Sequence, residues 1–103
     1  MRFIVKCKMP VETANASIMD GTMGKKIMSY VDYVKPENVY LALSHGQRTI
    51  YFIMNVPSED KLPGLLEPLW LDFKADVYIT PAMTLADFEK AGPDLERLAQ
   101  ARK

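Results

Sequence analysis

Histidine and cysteine, the two side chains most versatile in catalysis and metal binding, each occur once in this chain, as His45 and Cys7. One histidine cannot build a multi-histidine metal site within a single chain, and a Ser-His-Asp relay would have to use His45. The pattern places His45 at the tip of a predicted hairpin, where a solvated turn residue is more usual than a general base held by a third group. Cys7 lies on the inward alternation of a predicted strand, which favours a small buried hydrophobe. We therefore expect no metal site and no bound cofactor.

Four polar side chains could orient a small organic ligand in a pocket between the sheet and a helix, or across a dimer. They are Tyr40, Arg48, Tyr51 and Tyr78. We expect the ligand-binding residues to be these four together with Asp20, which is singled out by its position on a predicted helix.

Asp20 borders a narrow arc of a predicted helix that contains Ser17, Gly21 and Gly24. Two glycines inside a helix cost roughly 0.5–1 kcal/mol each relative to alanine, which suggests that another part of the structure approaches this backbone closely. Helix packing or a dimer contact would explain them. A ligand wall with Asp20 as its polar group is the alternative.

Alternating and helical hydrophobic periods divide the chain into elements that must position these residues. Strands are predicted over residues 2–9, 39–44, 48–56 and 76–81, and helices over 11–34, from Ser58 to about residue 73, and from Thr84 onward. Pro63 and Pro68 predict a kink or a late start in the second helix. Gly92-Pro93 should break the last helix, whose start at Thr84 resembles a capping box.

This order predicts a single α+β domain over residues 1–103, with ferredoxin-like βαββαβ topology and a C-terminal helix. The sheet should be four-stranded and antiparallel, with the first and third strands at its centre. The face predicted to be covered by helices carries Phe3, Val5, Cys7, Ile50, Phe52 and Met54. The opposite face carries Ile4, Lys6, Lys8, Tyr40, Ala42, Tyr51, Ile53, Asn55, Asp76, Tyr78 and Thr80.

That opposite face is too apolar for comfortable exposure and too polar for an ordinary dry core, so something should cover it. A second copy of the chain, packed sheet against sheet, would bury the tyrosine rings and let their hydroxyls reach partners or water. A nucleic-acid platform is disfavoured, because residues 46–53 lack the aromatic pattern of such modules and 13 basic side chains balance 13 acidic ones. A small-ligand pocket is compatible with the dimer.

Composition supports an ordinary globular protein, with 49% hydrophobic and 25% charged residues. The apolar runs are far shorter than the roughly 18 residues of a membrane span, and residues 1–10 lack the apolar core of a signal peptide. We therefore expect a cytoplasmic protein with no membrane partner.

Residues 67–73, Glu-Pro-Leu-Trp-Leu-Asp-Phe, and residues 75–84 after them resemble small uncharacterised bacterial proteins of the dimeric α/β-barrel superfamily. Those proteins also have a helix ending near a tryptophan, a short last strand and a following proline. The resemblance implies a ferredoxin-like fold that dimerises. Relatives by architecture, such as the muconolactone-isomerase-like, monooxygenase-like and YciI-like proteins, imply cofactor-independent enzymes or binders of small molecules, although the YciI-like His-Asp pair is not matched here.

The sequence therefore favours a homodimer, formed through the sheet face, that binds a small organic molecule. One alternative is a cofactor-independent isomerase or oxygenase that uses Asp20, His45 or a tyrosine for proton transfer. Another is a structural or regulatory dimer without a ligand. The sequence does not decide whether the protein is an enzyme.

Overall fold

A computed structural model describes residues 1–103 and contains four strands and five α-helices. The strands are β1 (Arg2–Lys8), β2 (Asn38–Ser44), β3 (Gln47–Asn55) and β4 (Asp76–Ala82). The helices are α1 (Val11–Met19), α2 (Met23–Val34), α3 (Leu62–Phe73), α4 (Leu85–Lys90) and α5 (Gly92–Ala101). This order confirms the predicted α+β, ferredoxin-like architecture.

The four strands form one antiparallel sheet in the order β2-β3-β1-β4. As predicted, the first and third strands lie at the centre, and β2 and β4 are the edges. The β2–β3 turn has positive φ at both His45 (51°) and Gly46 (77°). Positive φ at both central residues is typical of a two-residue hairpin turn, and glycine adopts it without steric cost.

One side of the sheet, which we call the covered side, carries the core. Its central residues Val5, Cys7, Ile50 and Phe52 are completely buried beneath the helices. Tyr30 from α2 meets the Phe52 ring edge-on, with 4.9 Å between the ring centroids. The alternation of apolar residues in β1 and β3 therefore predicted the core face correctly.

The prediction of one continuous helix over residues 11–34 is wrong, because the chain turns at Asp20–Thr22 and begins a second helix at Met23. Gly21 has φ +76°, a left-handed conformation that most residues avoid. A Cβ placed on Gly21 or Gly24 would have no atom within 4 Å, so no other part of this chain makes the close approach that helix packing would require. The apolar period runs through the turn because α1 and α2 both bury residues in the same core.

The second predicted helix starts late, as its prolines suggested. A short 3-10 helix over Glu59–Lys61 precedes α3, and Pro63 lies in the first turn of α3. Ser58 does not cap the helix as expected, because its hydroxyl donates to the Asp60 carboxylate instead.

Pro68 lies inside α3, where its missing N–H leaves the carbonyl of Gly64 without its helical donor. The Tyr33 hydroxyl of α2 donates to that carbonyl at 3.0 Å, and the Tyr30 hydroxyl donates to the neighbouring carbonyl of Leu65 at 2.5 Å. Two tyrosines thus tie α2 to α3 where the proline weakens the helix.

The C-terminal helices follow the predicted pattern. Thr84 and Asp87 form a reciprocal capping box, with both hydrogen bonds at 3.1 Å, and the helix is interrupted before Gly92. Neither α4 nor α5 contains a buried residue. The chain extends 61 Å along its longest axis, and none of its helices is long and apolar enough to cross a membrane.

Candidate functional site

The second side of the sheet, which we call the open side, carries a row of four side chains across all four strands. Strand register pairs Tyr40 of β2 with Tyr51 of β3, Tyr51 with Lys6 of β1, and Lys6 with Tyr78 of β4. Directly opposed residues of antiparallel strands have Cβ atoms about 4.5–5.5 Å apart, so these four side chains are immediate neighbours. They form one continuous Tyr-Tyr-Lys-Tyr surface.

Lys6 is the cationic centre of this row. Its Nζ lies 5.1 Å from the centroid of the Tyr78 ring, within the range of a cation–π contact. The chain's ion pairs involve Arg2 and Arg97 but not Lys6. Lys6 therefore presents a positive charge among aromatic rings without a carboxylate of its own.

The tyrosines of the row are unequally exposed. Tyr40 and Tyr78 on the edge strands are 55% and 51% exposed, whereas Tyr51 on central β3 is half-buried. The Tyr40 hydroxyl accepts a hydrogen bond from the Asn38 amide at 2.8 Å. Ring faces and hydroxyls are thus available to a flat molecule that lies on the open side.

Two ion pairs lie at one end of the open side, and both involve Arg2 of β1. Arg2 donates at 2.7 Å to Glu37, the residue just before β2, and at 3.3 Å to Asp87 of α4. The hydrogen bond from Arg2 lowers the pKa of the Glu37 carboxyl, and the Thr84 hydrogen bonds lower the pKa of Asp87. Arg2 therefore links the start of β2 and the start of the C-terminal helices across the sheet.

The other end carries His45, the histidine of the predicted hairpin tip. Its Nδ1 lies 3.4 Å from Lys8 Nζ and 3.3 Å from Ser44 Oγ. A lysine ammonium can only donate, so Nδ1 can pair with Lys8 only as an acceptor. No carboxylate bonds to this ring, and the side chain is exposed.

The structure brings together three of the five residues predicted to bind a ligand. Tyr40, Tyr51 and Tyr78 share the open side, whereas Arg48 alternates onto the covered side, where it donates to Asn15 of α1 at 3.0 Å. The sheet itself separates Arg48 from the tyrosines.

Asp20 lies in the turn between α1 and α2, at the end of a helix that packs on the covered side. Its Oδ1 accepts hydrogen bonds from the Thr22 hydroxyl at 2.6 Å and from the Thr22 backbone N–H at 3.0 Å. These bonds lower the pKa of the Asp20 carboxyl. Asp20 therefore stabilises the turn around Gly21 and does not join the tyrosines.

Lys6 is the residue of the row that the predicted ligand-binding group omitted. Strand alternation had already placed it on the tyrosine face, but only the register shows that it stands between Tyr51 and Tyr78. No group of three or more histidine, cysteine, aspartate or glutamate side chains in the chain is arranged to hold a metal ion.

Comparisons with known proteins agree with the fold. No family model and no curated protein sequence matches the chain. Among solved structures, it is similar to 5-chloro-2-hydroxyhydroquinone dehydrochlorinase (TftG) from Burkholderia phenoliruptrix AC1100 in complex with 2,5-dihydroxybenzoquinone, with a TM-score of 0.62 and 14% identity. That likeness covers 81% of this chain and 94% of the dehydrochlorinase. The de novo designed protein Ferredog-Diesel is similar over 79% of this chain and 85% of its own, with 9% identity and a TM-score of 0.44.

Proposed function

We propose that the protein is a homodimer that binds a small, planar, anionic organic molecule between the open sides of its two sheets. The observation that carries the proposal is the continuous row of Tyr40, Tyr51, Lys6 and Tyr78. Aromatic walls with a few convergent polar groups are characteristic of small-molecule sites.

The charge of the ligand follows from Lys6. When two open sides pack face to face, the Lys6 ammonium groups of both chains enter one enclosed space, and Asp76, a carboxylate on the same side, lies opposite Lys8 rather than Lys6. Burying a charge without a partner is costly, and two like charges in one site repel each other. An anion between the sheets would remove both costs, and the tyrosine rings would contact its faces.

The similar dehydrochlorinase supports the choice of a first probe, because its structure contains 2,5-dihydroxybenzoquinone. That compound is flat, and its hydroxyls are acidic because they are conjugated with the quinone carbonyls. Isothermal titration calorimetry would compare it with hydroquinone, which has a similar shape and is neutral at pH 7. We expect the wild-type dimer to bind the acidic quinone more tightly.

Lys6→Met should weaken binding of the acidic quinone at least about tenfold, because a charge-assisted contact contributes about 1.5–3 kcal/mol. Lys6→Arg should keep most of the affinity. Lys25→Met, which removes an exposed lysine from α2, is the matched control and should change nothing. Equal affinity of wild type and Lys6→Met would refute the site, and a dimer that binds neither probe would favour the structural alternative.

An isomerase or oxygenase remains a second candidate function because His45 lies at one end of the same open side. Its Nδ1 is near Lys8, so Nε2 is the ring nitrogen directed away from that contact. If turnover of a bound quinone or phenol is found, His45→Gln should abolish it while ligand binding persists. Undiminished turnover in His45→Gln would exclude the histidine as the acid or base.

A further inference from the structure

We propose that residues 83–101 are an exchange arm, which in the homodimer lies in an apolar groove of the other chain between that chain's α2 and β2. This proposal rests on the face-to-face dimer of the proposed function but concerns a different surface. It assigns the second copy of the chain as the occupant of the groove.

The arm consists of Met83, α4 and α5, and its apolar side chains contact little of their own chain. Leu85 is 75% exposed, Phe88 53% and Leu98 50%, and neither helix buries a residue. Leu95 and Leu98 are three residues apart and share one face of α5. A short amphipathic helix gains most of its stability by burying its apolar face, so this arm requires a partner surface.

The overall shape shows that the arm does not fold back onto its own domain. The radius of gyration is 17.4 Å, whereas a compact chain of this length has a value of about 13 Å. The longest extent, 61 Å, is more than twice the next, 28 Å. An extended apolar segment of this kind is typical of a chain that completes its packing with another chain.

A matching groove is present on the covered side, along edge strand β2. It has a volume of about 360 Å³, and its walls are mostly apolar. The lining includes Met9, Met23, Ile27, Leu41, Leu43 and Ile50. Leu41 and Leu43 are 71% and 69% exposed because the helices do not extend over this edge of the sheet.

The topology favours the groove of the other chain. The arm leaves from β4 and the groove follows β2, which are opposite edges of the sheet and lie about 14 Å apart across three strand spacings. A two-fold axis between face-to-face sheets that runs along the strands places β4 of each chain over β2 of the other. The Arg2 contact with Asp87 keeps the root of the arm at the open side, where the two chains meet.

The dimensions of the arm also fit. The six residues of strand from Asn38 to Leu43 span about 17 Å, and the ten residues of α5 span about 15 Å. The partner's arm would start at the sheet end where β2 begins, but on the open side. Its α4 would therefore pass around the β2 edge, and α5 would then run along the covered side of β2 to the exposed leucines.

Exchange would also enlarge the contact between the two chains. Four strands of about seven residues present a flat footprint of roughly 450 Å² on the open side. An arm about 25 Å long and 10 Å wide has a footprint of roughly 250 Å², and each chain both donates and receives one. Exchange of both arms therefore about doubles the footprint of the sheet contact alone.

Disulfide cross-linking between two full-length variants tests the proposal. Leu98→Cys in one chain and Leu43→Cys in the other should form a mixed disulfide when the two proteins are combined, exchanged and oxidised. Native Cys7 is fully buried and should not interfere. Glu96→Cys, on the other face of α5, is the matched control and should cross-link to Leu43→Cys at least about tenfold less.

A second measurement does not depend on cysteine chemistry. Leu98→Glu should raise the dimer dissociation constant at least about tenfold, because it places a charge in an apolar groove, whereas Gln100→Glu should leave it unchanged. Equal effects of the two substitutions, or equal cross-linking of the two cysteine positions, would overturn the exchange arm. A disulfide that forms only within a chain carrying both Leu43→Cys and Leu98→Cys would also overturn it.

These results can be separated from failure of the proposed function. If the wild type is a dimer but Leu98→Cys and Leu43→Cys do not cross-link, the arm would be refuted, and the sheet interface and the Lys6 site would stand. A wild-type chain whose light scattering gives the monomer mass of 11.7 kDa would refute both.

Discussion

The two sides of the same sheet differ in what they bury and in how they are completed. On the covered side, Val5, Cys7, Ile50 and Phe52 are fully enclosed by helices of their own chain. On the open side, Lys6 and Tyr51, one position away in the same two strands, form a row with the tyrosines of the edge strands, which are half exposed. One side is therefore buried by the helices of its own chain, while the other is left uncovered by that chain.

The sharpest test of this difference compares adjacent residues of β3. Phe52→Ala should destabilise the monomer by about 3–5 kcal/mol, because it leaves a cavity in a closely packed core. Tyr51→Ala should cost the dilute monomer about 1 kcal/mol or less but weaken the dimer. Urea unfolding at low protein concentration and light scattering at high concentration measure the two effects. Similar losses of monomer stability in both variants would contradict the division between the sides.

A cysteine on the covered side and one on the open side should also differ strongly in reactivity. Burial raises the pKa of Cys7 from 9.0 to about 12, which lowers its thiolate fraction about a thousandfold. Native protein should therefore react with a disulfide reagent only on unfolding, whereas Ala42→Cys on the open side should react at once when the dimer is dissociated.

The raised pKa of Cys7 also predicts that folding stability depends on pH. The folded state holds the Cys7 proton more tightly than the unfolded state does. The contribution of the protonated thiol to folding stability is therefore complete below pH 9 and is lost as the pH rises toward 12. Cys7→Ala should show a smaller loss of unfolding free energy between pH 9 and 11. Identical slopes in the two proteins would indicate that the thiol is not shielded.

Tyrosine hydroxyls provide a smaller contrast between the sides. Tyr30→Phe should cost about 1 kcal/mol, because it removes the bond that ties α2 to the Leu65 carbonyl of α3. Tyr40→Phe loses only an exposed bond from Asn38, and we expect a change within about 0.5 kcal/mol. Thermal unfolding of both variants at matched concentration measures the difference, and equal costs would contradict it.

The smallest expected effect is at the Arg2 end of the open side. The pKa values of the Glu37 and Asp87 carboxyls are lowered in the folded chain from their ordinary values of 4.5 and 3.8. The contribution of these carboxylates to folding stability is therefore present above those ordinary pKa values and is lost as the pH falls below them. Amide exchange in α4 should therefore speed up in acid more than exchange in β1. Arg2→Gln should reduce this difference, and an unchanged profile would show that Arg2 does not hold the arm.

Most of the fold could be predicted because it depends on local patterns. Alternation in β1 and β3 identified the covered side, Gly46 marked the hairpin, and Thr84 with Asp87 marked a helix start. The turn at Gly21 was missed because α1 and α2 bury residues in the same core, so the helical period continues across it.

The candidate site was only partly predictable for a different reason. Tyr40, Tyr51 and Tyr78 could be assigned to one side by parity, and Arg48 falls on the other side by the same rule. Asp20 drew attention as a polar residue near two glycines, and its role in the turn became visible only through its bonds to Thr22.

The sequence by itself determined the order of the elements and the side on which each strand residue lies, because both depend on periods of two or 3.6 residues along the chain. Tertiary structure decided that Lys6 stands between two tyrosines, because register depends on how separate strands align. It also decided that the C-terminal helices leave the domain with their leucines exposed. Local amphipathicity specifies that a helix face must be buried, but only packing in three dimensions selects the surface that buries it.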